Sequence, residues 1–515
     1  MNTRLSLVCA LNSFLACACA STKPLAPQNV PERDFPATIA RIELTDPGSP
    51  AVLTERLAYV ELLLSGAPSA CGEQLERADQ QLASVEASTK THVLFPDGWA
   101  RVADLGYRLH LERAACGSEA DREDELRTAG AAARRAVELY RNVFDYRSMA
   151  FMQFDTAVVL QRLGEHKAAL AALQAALDMD QEYGFQEDAQ DNYKLLLTWR
   201  GQPADPTQIA ALMQDFPKRQ AIFKFRWHPG DATVTLESRR ERLLGTQVLE
   251  SDANAVLEFR VDADQGSGWS VSYARPLAQY LPGVWPTIQA SSESEAFFPP
   301  ALLPEPGYKV SATGEFEGAA DPKVFASGLD ARTESLIRAS APSGREAREL
   351  TDAIETMTAF LSSGLLEAAA AQNYALETAM WIGATLDQGV WYKISAPLSL
   401  AGLPRIVVQH QIEFAFTRMV RCTADSADPA CVEIVLRATP DGEALEHAMA
   451  DVRLQVPEAR DYSSSIEARI VTDAATLLPY VREERIYWYA ALAKDKEDSA
   501  LESEHLVSTT SYGAE

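Results

Sequence analysis

Seven histidines, His92, His110, His166, His228, His410, His447 and His505, are the first residues to ask about metal binding or proton transfer. None stands three or four residues from another, the spacing that sets two imidazoles on one helix face. The zinc-protease HExxH pair, the GxSxG nucleophile turn, the glycine-rich phosphate loop and a strand-borne GxGxxG are absent. Asp262-Ala263-Asp264-Gln265-Gly266 opens like a calcium loop, yet its twelfth position is Tyr273 where a bidentate glutamate is needed. The carboxylates Glu293, Glu295, Glu483 and Glu484 could serve acid–base chemistry only if the fold brought two together at the right separation. A hydrolase therefore remains the weakest of three functional readings, and no cofactor is expected.

His410 lies in the alternating run Val408-Gln409-His410-Gln411-Ile412-Glu413-Phe414, on the face shared by Val408, Ile412 and Phe414. That pattern predicts a buried, hydrogen-bonded histidine. The aromatics Trp381, Trp391, Tyr392, Tyr487 and Trp488 could join His410 around an apolar cavity, although aromatics also fill sheet–helix cores. An apolar small molecule or lipid is the ligand such a cavity would take.

The chain carries seven cysteines in 515 residues. Cys71 opens one helical pattern and Cys116 closes the next, which brings them together in an antiparallel helix pair. Cys422 and Cys431 end two β-like runs separated by turn-forming residues. Two disulfides, Cys71–Cys116 and Cys422–Cys431, are expected of an exported chain.

Export is suggested by residues 1–20, where Arg4 precedes the apolar stretch Leu5 to Leu15, too short to span a bilayer. Ala18-Cys19-Ala20 fits a cleavage site before Ser21. The same segment resembles a bacterial lipoprotein signal, with Cys19 as the lipidated residue and Cys17, preceded by Phe14 at the usual leucine position, as the alternative. The resemblance implies a protein held at the periplasmic face of a membrane, the outer membrane included, by a lipid anchor alone; simple secretion is the other outcome. Residues 21–50 carry Pro24, Pro27, Pro31, Pro36, Pro47 and Pro50 and form a spacer, with Thr38 to Leu44 able to add one strand.

The positioning elements follow from periodicity. Apolar residues three or four apart predict helices over 52–65, 71–86, 97–116, 121–144, 147–163, 166–180, 187–200 and 206–215, a helical-hairpin domain over 51–216. Within it, Phe151 to Asp180 resembles a tetratricopeptide unit: Gly164 stands at the inter-helix turn, Ala169 and Ala176 at the close-approach positions, and Asp180 ends the second helix. Gln153, Thr156-Ala157 and Gln181 depart from the pattern. The resemblance implies stacked helix pairs with a concave face for a protein or peptide partner. Leu160, Leu163, Leu170, Leu173 and Leu177 are expected in the core.

From 217 to 515 the period shortens to two, with one helix over about 343–374 between two β segments and the run LVSTTSY as a last edge strand. The fold class is α+β: a helical-hairpin domain followed by a mainly antiparallel β domain with one long helix. The net charge of −26 repels phosphate backbones, so nucleic acid is not an expected partner. The combined reading is a cell-envelope protein that binds a protein or peptide and does no catalysis; the alternative is a carrier of an apolar ligand.

Overall fold

The computed structural model describes residues 34–45, 50–65, 72–89, 96–203, 205–215, 219–244, 247–263, 268–274, 307–319, 366–401, 403–423, 426, 429–455, 459–492 and 500–512. Two compact units meet in sequence at Arg219 and Gln220.

The helical unit contains α1 (Phe35–Thr45), α2 (Pro50–Ser65), α3 (Glu73–Thr89), α4 (Pro96–Cys116) and α5 (Glu119–Asn142), then α6 (Tyr146–Arg162), α7 (His166–Tyr183), α8 (Gln186–Trp199) and α9 (Pro206–Asp215). Sequence neighbours pack on one another along the series. Side chains start the helices as polar caps do: Asp34 Oδ1 accepts from the Ala37 amide at 3.1 Å, and Asp145 Oδ1 from Ser148 at 3.0 Å. Gly184 ends α7 in the left-handed region at φ 83°, where its N–H reaches the Asp180 carbonyl. Small residues let α6, α7 and α8 approach, for Ala157, Ala169, Ala176 and Ala189 are fully buried. Leu173 and Leu177 join them in the core, while Leu160, Leu163 and Leu170 are half-buried.

One expectation is corrected here. The run Thr38 to Leu44 forms no strand; it lies inside helix α1, whose first turn tolerates Pro36 and whose Phe35 stacks on Tyr59 of α2 at 5.7 Å.

The β unit is built on one antiparallel sheet of 11 strands in the order β6-β5-β4-β3-β2-β13-β12-β11-β10-β9-β8. Its first meander is β2 (Gly230–Leu244), β3 (Gln247–Ala263), β4 (Gly268–Ala274), β5 (Tyr308–Ser311) and β6 (Phe316–Ala319). The second runs β8 (Trp391–Leu400), β9 (Leu403–Val420), β10 (Cys431–Pro440), β11 (Ala459–Thr472), β12 (Pro479–Leu492) and β13 (Ala500–Tyr512). A separate pair joins β1 (Gln220–Ile222) to β7 (Thr385–Asp387).

The last strand is not an edge strand. β13 pairs with β12 on one side and with β2 on the other, so the segment containing LVSTTSY joins the two meanders into one sheet. Its polar character fits that place, because the register sets Thr509 opposite Thr235 and Ser511 opposite Thr233.

Two helices serve the sheet. Helix α10 (Leu366–Glu377), with the short turn Ala379–Trp381, covers the packed face. Residues 343–365 of the helix expected over 343–374 lie outside the described residues. A second helix, α11 (Gly442–Gln455), was not expected; its Ala444, Leu445, Ala448 and Met449 pack on Val408, Ile406 and Tyr462. Asp441 starts it by accepting from the Ala444 amide at 3.1 Å. The packed face is made of alternate residues, Ile412, Phe414 and Phe416 of β9 with Ile434, Leu436 and Ala438 of β10.

Candidate functional site

In the helical unit, α4, α6, α7 and α8 line a groove of about 760 Å³. Helix α6 supplies its apolar wall. Phe151 is 59% exposed and leans on Phe154, the ring centroids 6.2 Å apart. Single exposed apolar side chains are ordinary on a protein surface; Phe151 differs in that it and Phe154 together form the apolar wall of a groove. Ion pairs border the groove: Arg147 reaches Asp188 at 3.3 Å and Lys194 reaches Asp191 at 2.9 Å.

The floor is acidic. Asp180, only 2% exposed, accepts a hydrogen bond from the Asn192 amide at 2.6 Å. Burial pushes its carboxyl up to about 7 despite that bond. Asp180 also sits in the last turn of α7, where the helix carbonyls disfavour negative charge. Asp104 of α4 lines the same groove, accepts from the Tyr140 hydroxyl at 3.2 Å, and is likewise raised by burial. Near Asp104, Asp155 of α6 bonds Tyr107, and burial lifts it to about 7.

The β unit buries charge differently. Glu433, fully buried in β10, takes Arg418 at 3.1 Å and Arg469 at 3.3 Å; Arg469 continues to Glu483, also at 3.1 Å. Burial alone would raise Glu483, but His505, Arg469 and Arg485 bring it down to about 2. On the packed face Arg482 donates to Glu377 at 3.0 Å, to Asn373 at 2.9 Å and to Glu484. Beside it lies a cavity of about 40 Å³, room for a few waters. Drug-sized and lipid ligands need several hundred Å³.

Residues singled out in the sequence fall in several places. Cys422 and Cys431 form a disulfide with Cα atoms 5.0 Å apart, closing the β9–β10 loop. Cys116 is disulfide-bonded; Cys71, its expected partner, lies outside the described residues, as do Cys17 and Cys19. His410 is fully buried on the packed face, its Nδ1 donating to the Val408 carbonyl at 3.0 Å and its Nε2 without a partner. Trp381 is packed between Phe223 and Phe414, its indole N–H donating to the Leu376 carbonyl at 2.7 Å. Tyr392 stacks on Phe414, Trp391 is 40% exposed at the start of β8, and Trp488 packs beside α11. Tyr487, one residue from Trp488, is half-buried and points to the opposite face. None of these six lines the 40 Å³ cavity.

Sequence reasoning missed Asp104, Arg147, Phe151 and Asn192 as a group and read Asp180 only as a helix end. The available signal was polarity at buried-phase positions: Asp155, Asp180 and Asn192 stand where an amphipathic helix places apolar residues.

Among the described residues no group of three or more histidines, cysteines or carboxylates could hold a metal ion, and no helix is long and apolar enough to cross a membrane. The chain matches no protein-family model, no curated protein and no solved structure.

Proposed function

We propose that this protein is a binding protein of the cell envelope whose helical unit grips a segment of a protein or peptide in the groove between α4, α6 and α8. The observation that carries the reading is Phe151, left exposed over a groove large enough for several side chains and bordered by ion pairs. Helix pairs stacked in series present such surfaces, in the manner of tetratricopeptide arrays. The groove offers binding groups and little chemistry: its one hydroxyl on α6, Ser148, is already bonded to Asp145 at 2.9 Å, and its lining contains no histidine or cysteine. The envelope location rests on the apolar leader with Cys19 at its end, and on the Cys422–Cys431 bridge, which persists in oxidising compartments.

The test places a photocrosslinking residue at Phe151 in the full-length protein and, as a control, at the exposed Leu62 of α2. Crosslinking in envelope preparations is expected at the first position, to one or a few polypeptides, and lost when Phe154→Asp is added. Equal adducts from both positions would refute the groove.

A further inference from the structure

We infer that the polypeptide taken by this groove is basic: a lysine or arginine whose aliphatic stem lies along Phe151 and Phe154 and whose cation is received by Asp180 and Asp104. This rests on the groove being a binding site and names what it binds.

The chain neutralises its own carboxylates in two ways. In the β unit they are met by arginine: Glu433 by Arg418 and Arg469, Glu467 by Arg437 at 3.5 Å, Glu377 and Glu484 by Arg482. Groove carboxylates are treated otherwise. Asp180 has an amide for its hydrogen-bond partner and Asp104 a phenol; Arg147 near the first, and Arg108 and Arg101 near the second, lower these carboxyls only through space, and among the described residues no ion pair reaches either. The basic side chains that border the groove are engaged elsewhere, Arg147 with Asp188 and Lys194 with Asp191. The last turn of α7 adds its carbonyl ends to the negative potential at Asp180.

A cation delivered from outside satisfies what the floor lacks. Burying a carboxylate costs least when it is paired and hydrogen-bonded, so an incoming guanidinium or ammonium gains a charge-assisted bond while removing the penalty the empty groove carries. The aromatic wall suits the rest of the same side chain, since lysine and arginine stems lie along apolar surfaces and their heads are attracted to ring faces. An acidic segment would set its carboxylates against Asp180 and Asp104. A free monovalent cation would leave Phe151 and most of the groove unused, which is why a polypeptide segment is the occupant.

The experiment titrates the full-length protein by calorimetry with a short peptide of alternating arginine and leucine, and with counterparts carrying glutamine or glutamate for arginine. The arginine peptide is expected to bind about tenfold or more tightly than the glutamine one, and the glutamate peptide not at all. Because the whole chain carries −26, non-specific attraction also favours basic peptides, and the variants decide. Asp180→Asn with Asp104→Asn should abolish the preference for arginine; Phe151→Ala, an exposed position, should weaken the arginine and glutamine peptides alike.

Binding should also tighten as pH rises through neutrality, an effect that Asp180→Asn removes. The charged groups around it are Arg147 from α6, Asp188, Asp191 and Lys194 from α8 and Asp104 from α4, with no histidine among them. If the glutamine or glutamate peptide binds as tightly and still depends on Phe151, the groove stands and the basic ligand is wrong. Undiminished arginine binding in the double aspartate variant overturns the inference as well. A protein that takes none of the three peptides refutes groove and ligand together.

Discussion

Neutralising Asp155 and Asp180 should stabilise the helical unit at alkaline pH and leave it unchanged at acid pH. Both carboxyls move from an ordinary 3.8 to about 7 on folding, with burial as the cause. Folded protein therefore holds these protons to higher pH than the unfolded chain. The contribution is fully present below the unfolded value and is lost as pH rises through the folded one. Each full displacement corresponds to roughly 4 kcal/mol, of which roughly 2 to 3 fall between about pH 5 and about pH 8. Asp155→Asn and Asp180→Asn keep shape and the partners Tyr107 and Asn192 but cannot ionise. At about pH 5 the protonated acid and the amide are near equivalents; at about pH 8 each variant should exceed the parent by ~2 kcal/mol. Urea unfolding of the full chain, followed by far-ultraviolet circular dichroism at several pH values, reads the difference. Parallel stability–pH curves for parent and double variant would refute the reasoning, because they would mean that these carboxyls ionise as freely in the folded protein as in the unfolded chain.

Three further outcomes follow from the β unit. His410 is buried neutral and its pKa is lowered by burial, so its contribution is present above the unfolded value of about 6.5 and lost as pH falls below it; His410→Gln should flatten the loss of melting temperature between neutral and mildly acid pH, and an unchanged slope would count against it. Arg482→Met removes the partner of Glu377 and Glu484 and should cost roughly 3–5 kcal/mol at neutral pH, read by tryptophan fluorescence in denaturant, with adding Glu377→Gln and Glu484→Gln restoring much of it. Opening the Cys422–Cys431 bridge by a double serine substitution frees a loop closed over a separation of 9 residues and should cost roughly 2.5 kcal/mol, measured the same way under oxidising conditions.

The helical unit was legible because helix periodicity is local: Pro96–Cys116 and Tyr146–Arg162 match stripes readable from their own residues. Helix α1 was not, since six prolines between 21 and 50 dominate its composition and Pro36 happens to fall in a first turn, where proline is tolerated. Helix α11 was obscured by β-rich neighbours on both sides, although Asp441 and Gly442 before an apolar i, i+3, i+4 run were start signals. The place of β13 could not be read at all. A strand's partners are set by pairing over long sequence separations, and β13 reaches back to β2 through a register that no short window contains. The groove failed to show for the same reason: Asp104, Phe151, Asp180 and Asn192 come from four helices, and only packing brings them together.

What distinguishes the groove from the rest of the molecule is therefore how its buried charge is compensated. An arginine beside a buried carboxylate fixes an ion pair for the life of the fold, which suits the ladder from Arg418 through Glu433 and Arg469 to Glu483. An amide or phenol beside one leaves compensation to a proton or to something from outside. Of the three carboxylates treated that way among the described residues of the helical unit, Asp104 and Asp180 line its groove, while Asp155 does not and bonds Tyr107. If the arrangement were only tolerated structure, replacing the lining pair by asparagine would be as harmless to ligand binding as replacing Asp155. If the groove is built for a cation, the lining pair and Asp155 must part company: all three substitutions gain stability at alkaline pH, and only those at Asp104 and Asp180 lose the basic peptide.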